Sequence, residues 1–453
     1  MTSAETDGAR QGLLEKLGLH RPELRAWAMY DWANSAFVTT VSTALLPLYY
    51  LRSAGADLPE AHAASYWAWT QSAALLVVAL VAPVLGAMAD YMGAKKRFLG
   101  TFMSLGIVTT AALFLVQRGD WMLASGLFIA ASVGLTASIA FADSLLPHIA
   151  TQEEVDRVST AGYALGYLGG GVLLVVNLLM VTRPELFGLP DAGAGTRFAF
   201  LTVAVWWLLF ALPLFYRVPE PPRRLESDET PRLNPVAVGF RRLAETFREI
   251  RNYRQAFKFL LAYWLFIDGI HSVQKLAAVF GVEIGIPDGA LLGALVLAQF
   301  VGVPFSFAFG FLARRIGPKN GIYLGLVVYT LITTCAYFVT QVWQFWALAF
   351  AVAMVQGGTQ GLSRSLYASL IPRSKSSEFF SFFSIFEKFA GLVGPAIFAY
   401  VAYETGAGRL GIVALVVFFV LGILLLTRVD VAEGRREAAA DDASTHVVPA
   451  PAS

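Results

Sequence analysis

The sequence predicts an all-α integral membrane protein of twelve transmembrane helices in two pseudo-symmetric six-helix bundles. Composition is the first reason. Of 453 residues, 57% are hydrophobic and 15% charged, so lipid rather than water must solvate much of the surface. Apolar runs are the second: twelve are long enough to cross a bilayer, at ~20 residues each. The third is an internal repeat. The string Gly86-Ala-Met-Ala-Asp90-Tyr-Met-Gly93-Ala-Lys95-Lys96-Arg97 returns, altered, as Gly310-Phe-Leu-Ala-Arg314-Arg315-Ile-Gly317-Pro-Lys319, 224 residues later. Two similar halves within a membrane are the build of a secondary transporter.

The runs fall at 26–50, 66–90, 97–117, 121–146, 159–181 and 197–217, then at 255–281, 288–313, 320–340, 343–370, 379–403 and 409–428. They are continuous rather than alternating, which excludes a closed β-barrel. The repeat extends past its opening motif. Pro147 and Pro372, Ser159 and Ser384, Gly166 and Gly391, and Gly169 and Gly394 each stand 225 residues apart. The expected domains are a cytoplasmic N-terminal segment (1–25), a first bundle (26–217), a cytoplasmic linker (218–253), a second bundle (254–428) and a disordered tail (429–453). The linker should contain an amphipathic helix with Phe240, Leu243, Phe247 and Ile250 on one side, lying on the inner leaflet or in solvent. Trp67, Trp69, Trp121, Trp206, Trp207, Trp343 and Trp346 read mostly as an interfacial belt.

Lys and Arg set the orientation. With the N-terminus inside, 26 of the 34 lie in inner loops and tails and 5 in outer loops. Both termini are therefore expected in the cytoplasm and the chain in the cytoplasmic membrane. A net charge of +2 gives no reason to expect nucleic acid as a partner. The single cysteine, Cys335, and five scattered histidines offer no disulfide and no metal-ligand spacing. Gly357-Gly358-Thr-Gln360-Gly361 lacks the lysine of a phosphate-binding loop, so no ATP binding is expected. No cofactor is expected either, and the lack of a soluble domain and of catalytic dyads argues against an enzyme. The opening MTSAETDGARQG lacks the apolar stretch of a secretory signal, so none is expected.

The first glycine-and-cation turn resembles the loop between spans two and three of the major facilitator superfamily. It keeps Gly86, Asp90, Gly93, Lys95 and Lys96, whereas Tyr91 stands where that family usually has Arg or Lys. Two segments are more specific. Trp27-Ala-Met-Tyr30-Asp31-Trp32-Ala33-Asn34-Ser35-Ala36-Phe37 is one; Gly357-Gly358-Thr-Gln360-Gly361-Leu362-Ser363-Arg364-Ser365-Leu366, with Ile371-Pro372 and Glu378-Phe379-Phe380 after it, is the other. Both resemble the vacuole-effluxer-like permease branch, named for autophagy-linked fungal vacuolar amino-acid exporters. The resemblance covers 20–428. It implies the major facilitator fold and amino-acid export as the leading activity. By the same resemblance Gly86 permits close helix approach and Asp90 anchors a gate.

Transport without ATP runs downhill or is coupled to an ion, and proton coupling needs a carboxylate or histidine within the membrane. Asp268 is the first candidate, ~20 Å into span seven. His271 and Lys275 follow on the same face at i+3 and i+7. The alternative is a neutralised pair that fastens helices, and Lys275 can simply snorkel. Glu387 and Lys388 lie ~14 Å into span eleven and point about 100° apart. They suit the two ends of a zwitterionic solute, or a structural charge network. Asn34 in span one and Gln299 in span eight are further candidate substrate contacts. Gln71, Asn177, Gln356 and Gln360 suit interhelical hydrogen bonds. Asp31 reads as a gate residue or a helix cap. Asp90, Asp143 and Arg364, at the cytoplasmic ends of spans two, four and ten, are candidate gating charges, with Gly93 and Lys95 in the turn. Pairs between the halves would hold in the outward-open state and break in the inward-open one.

The expected activity is secondary active transport of a small polar metabolite by a monomer in the lipid bilayer, proton-coupled through Asp268 or Glu387. Within transport, the alternative is a facilitator of a sugar, peptide or drug. Outside it, the alternative is a non-transporting receptor or lipid-handling protein.

Overall fold

Proline and glycine divide the chain into rods. The structure, a computed structural model, describes residues 12, 14–58, 60–225, 233–248, 253–283, 285–405, 408–444 and 446–448. Span one starts at Pro22, whose fixed φ and missing N–H suit a first helical position. It runs as Pro22–Ala36, widens to π-helix over Phe37–Leu45, returns to α-helix over Leu46–Tyr49 and widens again over Tyr50–Ala54. The β-branched run Val38-Thr39-Thr40-Val41 crowds a regular turn, and Pro47 cannot donate to the turn before it. Spans two to six are Glu60–Met92, Lys95–Ala112, Trp121–Ile149, Val155–Thr182 and Ala192–Arg217. Spans seven to ten are Arg254–Glu283, Asp288–Ile316, Pro318–Ala336 and Val342–Leu370. Span twelve is Gly408–Ala414 followed by Val416–Thr427.

Span eleven departs from the single run 379–403. It is two helices, Ser376–Phe389 and Val393–Thr405. In the gap Gly391 takes φ +78°, a left-handed conformation that side chains resist. Pro395 then has no N–H to carry the ladder back across it.

Among the described residues, nine helices are long and apolar enough to cross a membrane by composition alone. Spans one, nine and ten fall short of that standard. Span one is wound in pieces, and span nine opens with Pro318-Lys319-Asn320. Span ten carries Gln356, Thr359, Gln360, Ser363 and Arg364, all buried. A helix that faces protein need not be apolar.

The halves meet where spans two and four pack on span eleven, and where span five packs on spans eight and ten. Small residues allow this. A Cβ added at Gly86 would fall 2.6 Å from the Ser377 carbonyl oxygen and 2.9 Å from Glu378 Cα. Within the first half, Gly162, Gly166, Gly169 and Gly170 of span five lie against Asp31, Ser35, Trp32 and Thr39 of span one. The tight turns after spans two and eight use the repeated glycines, Gly93 at φ +59° and Gly317 at φ +82°.

The connector lies at the same end of the bundle as those two turns, here termed the linker end. Its helix, Pro235–Arg248, packs on span two, with Gly239 against Met88 and Val84. Val238 and Arg242 are buried there while Phe240 is 58% exposed, so the face that meets protein is not the Phe240 face. Ile250, the rest of 249–252, 226–232 and 1–11 lie outside the described residues.

The disorder expected for 429–453 is corrected over most of that stretch. Val431–Ser444 is helical, and His446–Val448 pairs antiparallel with Arg223–Leu225; 449–453 lie outside the described residues. Acidic side chains dock the helix. Asp442 accepts from the backbone N–H groups of Arg373 and Ser374 at 3.1 and 3.0 Å, Asp441 from the Tyr253 hydroxyl at 2.9 Å, and Glu437 from Gln255 N at 3.2 Å. Composition alone makes such a segment look unable to fold; free amides at helix starts supply what composition lacks.

Candidate functional site

Arg364 of span ten reaches across to the first half. Only 3% exposed, it engages all five of its N–H donors. Nη2 donates to Asp31 Oδ2 at 2.7 Å and to the Ser159 carbonyl at 2.9 Å. Nη1 donates to Asp31 Oδ1 at 3.3 Å and Asp143 Oδ1 at 3.0 Å, and Nε to Ser159 Oγ at 2.9 Å. Its planar face lies 4.7 Å from the Trp27 ring and 4.5 Å from the Tyr163 ring, so delocalised charge meets π-density on both. Spans one, four and five thus converge on a cation from span ten. Glycine at 162 makes the room: an added Cβ would strike the Asp31 carboxylate and lie 2.7 Å from Arg364 Nη2. The structure brings Asp31, Asp143 and Arg364 together; Ser159, Gly162 and Tyr163 complete the cluster.

A second junction lies at the turn between spans two and three. Asp90 and Lys95 form a buried ion pair. Lys95 Nζ also donates to Ser376 Oγ at 2.8 Å and Ser377 Oγ at 2.9 Å, and Asp90 Oδ2 accepts from Glu378 N at 3.0 Å. The carboxylate therefore caps the start of Ser376–Phe389, where the helix dipole is positive. Tyr91, in the place of the family's cation, is covered by Arg223 at 4.5 Å and Arg242 at 5.9 Å. The connector supplies the charge that the turn omits. The second copy is not equivalent: Arg314 stands where Asp90 would be, and it is exposed. Both junctions tie the first half to the second, through Arg364 of span ten and Ser376–Phe389 of span eleven.

Asp268 sits at the break in span eleven. It is 1% exposed and accepts from Gly394 N at 2.8 Å, Val393 N at 3.3 Å and Ser272 Oγ at 3.2 Å. It caps the second helix of that span. One turn on, His271 Cβ packs 3.0 Å from where a Gly391 Cβ would be, and two turns on, Lys275 Nζ donates to the Gly391 carbonyl at 3.2 Å. The face predicted to carry ions is thus engaged with backbone of the break. Glu387 and Lys388 are half-buried in the last turn before it.

The remaining candidates separate. Asn34 is buried and donates to the Tyr30 carbonyl of its own helix at 2.7 Å. Gln299 of span eight lies against Gly171 of span five, and its buried Oε1 has no hydrogen-bond partner among the described residues. Near it, Gln274 donates to Gln356 at 3.0 Å and Tyr167 to Gln360 at 3.3 Å. Gln274 and Tyr167 are polar residues on span faces that the ionic candidates left unremarked, and both remain half-buried.

Comparisons with known proteins place this geometry. The family model described as vacuole effluxer Atg22 like matches residues 20–155 and 150–439. The uncharacterized MFS-type transporter YxiO of Bacillus subtilis (strain 168) is 35% identical over 404 residues, 88% of this chain and 93% of that one. Autophagy-related protein 22 of Yarrowia lipolytica is 27% identical over 318 residues, 62% of this chain and 51% of the fungal protein, so the match spans about half the fungal length. Two solved transporters share the fold at 13% identity. The proton:xylose symporter XylE has a TM-score of 0.67 and covers 93% of this chain and 98% of its own. FucP, in the outward conformation, has a TM-score of 0.69 and covers 90% and 100%. The molecule is a multi-pass membrane transporter with the major facilitator fold, not an enzyme. By matched residues and shared architecture, the chain belongs to the vacuole effluxer Atg22-like family.

Proposed function

We propose that the chain exports small zwitterionic metabolites, amino acids foremost, by proton-coupled alternating access, as a monomer in the cytoplasmic membrane with both termini inside. One observation carries this reading: a fully engaged arginine from one half is held by carboxylates of the other, at one end of the bundle. Such a pair is a two-state element, since it exists only while that end is closed. The bias of Lys and Arg toward the loops at that end supports a cytoplasmic placement for it.

Glu387 and Lys388 supply the anion and cation for a zwitterion, beside a helix break whose backbone groups are already polarised. Protonating Asp268 would remove its charge and loosen its hold on the Val393 and Gly394 amides. Proton uptake and movement of the second half of span eleven are then one event. Glu387 is the second choice for that role.

Thermal stabilisation of the detergent-purified protein tests the reading, with amino acids, sugars, nucleosides and organic acids compared at pH 5.5 and 7.5. A ligand bound to the folded state raises its apparent stability by mass action. A shift selective for amino acids and lost in Lys388→Ala is expected. A shift with another class alone removes the amino-acid cargo.

A further inference from the structure

The outer flank of the first bundle carries a polar groove that the transport cycle does not use. It lies between spans three and six at the linker end, is lined by Lys96, Arg97, Gly100, Thr101, Ser104 and Phe215, and holds about 580 Å³. Arg97, Thr101 and Ser104 are exposed at i, i+4 and i+7, one stripe of span three. Polar side chains on the outer flank of a spanning helix are costly without a polar partner. Thr101 satisfies itself on the Arg97 carbonyl at 3.0 Å. Lys96 is committed to the Phe215 and Val218 carbonyls at 2.8 and 2.6 Å, which ties spans three and six together and frames the groove.

Charge around the groove is one-sided. Lys95, Lys96 and Arg97 open span three, three cations at the positive end of a helix dipole. Asp90 answers Lys95, and Glu220 accepts the Lys96 N–H at 3.0 Å. Arg97 has no ion-pair partner among the described residues. On the other flank of span six a second groove of about 310 Å³ is edged by Arg25 and Arg217. Beyond these cations the wall is apolar and exposed: Leu105 and Val108 of span three, Val205, Leu208 and Leu209 of span six. Tyr216, 80% exposed, stands among the cations at the depth where aromatic side chains meet headgroups.

We infer that the linker end of span six is a binding site for anionic phospholipid. Arg97 holds a headgroup phosphate in one groove and Arg25 with Arg217 in the other, with the acyl chains against the apolar wall. A basic pocket above a hydrocarbon-facing wall fits a lipid anion better than a free one.

Titration of the full chain in dodecyl maltoside with phosphatidylglycerol, phosphatidylcholine or inorganic phosphate, read by native mass spectrometry, tests this. Phosphatidylglycerol is expected to stay bound where the other two do not. Arg97→Gln with Arg217→Gln removes one cation from each groove and should weaken retention at each about five-fold. Arg97→Lys with Arg217→Lys should keep most of the affinity. Arg314→Gln with Arg315→Gln removes two exposed cations from the other half and should leave binding unchanged. Equal retention of phosphatidylcholine, equal binding of inorganic phosphate, or equal loss in the Arg314/Arg315 pair overturns the site. So does wild-type affinity in the Arg97/Arg217 pair.

Discussion

Arg364 of span ten and Asp31 of span one are joined across the two halves by two parallel hydrogen bonds, Nη2 to Oδ2 at 2.7 Å and Nη1 to Oδ1 at 3.3 Å. The guanidinium fork matches the carboxylate, and the donors left over serve Asp143 and Ser159. Removing one member of a buried charge network costs about 3–5 kcal/mol. Arg364→Ala should lower the melting temperature accordingly. Arg364→Lys keeps the charge and should lower it less, but still lower it, because three donors at one point cannot serve five acceptors. A melting curve for Arg364→Ala that superimposes on wild type would remove this cluster as the closure of the linker end.

Gly162 is the test of space rather than charge. Gly162→Ala places a methyl on the Asp31 carboxylate and 2.7 Å from Arg364 Nη2. Overpacking of this kind costs about 1–3 kcal/mol. Gly126→Ala, in span four, meets nothing within 4 Å and serves as the control. The first substitution should destabilise and the second should not; the reverse order in thermal melts would contradict the packing described.

Asp268 has a structural role that survives whatever it does with protons. Asp268→Asn keeps the shape but loses a charged acceptor for the Val393 and Gly394 amides. A lost cap costs about 0.5–2 kcal/mol. Amide hydrogen exchange should rise at Val393, Gly394 and Ala396 with little change at the start of Ser376–Phe389. If Asp268 also carries the coupling proton, the pH dependence of transport flattens in the same variant. Full transport with unchanged pH dependence leaves only the cap.

Glu154 gives a pH signature outside the membrane. Burial would push its carboxyl up, but the Thr151 backbone and hydroxyl and then Arg21 outweigh that and hold it below the ordinary value. Arg21 Nη2 donates to Glu154 at 2.7 Å and to the Ile149 carbonyl at 2.6 Å, pinning the start of span one to the loop after span four. A depressed carboxylate stabilises the fold above its unfolded value, about 4.3, and that contribution is lost as pH falls through the lower folded value. Glu154→Gln should therefore melt earlier than wild type at pH 7, and the gap should close in acid. A gap independent of pH would deny the charged contact.

The tail helix can be removed whole. Deleting 431–453 strips the acceptors from the Gln255, Arg373 and Ser374 amides. Faster hydrogen exchange at 253–256 and 373–375 is expected. Unchanged exchange at both places would mean that the tail helix does not dock there in solution.

Much of this architecture was legible because its signals are local. Apolar runs gave the spans, and the repeated Gly93 and Gly317 gave two turns whose φ only glycine tolerates easily. Asp31, Asp143 and Arg364 stood out as charges within apolar sequence. Their pairing did not, because it joins positions 333 residues apart. The partners of Asp268 are backbone amides, which no pattern of side chains reveals. The break itself left a trace: Gly391, Gly394 and Pro395 lie within five residues of one another. Aromatic counting misplaced some rings. Trp207 is fully buried against Phe37, while Trp69 and Trp343 are about as exposed as belt residues should be, at 70% and 68%.

Counterflow in proteoliposomes tests the central claim most directly. Vesicles loaded with unlabelled neutral amino acids, then diluted into trace labelled amino acid, should show a transient accumulation with wild-type protein that is absent with Arg364→Gln. Accumulation no greater than in protein-free vesicles would contradict amino-acid exchange, and an undiminished overshoot in Arg364→Gln would contradict the cluster as the gate.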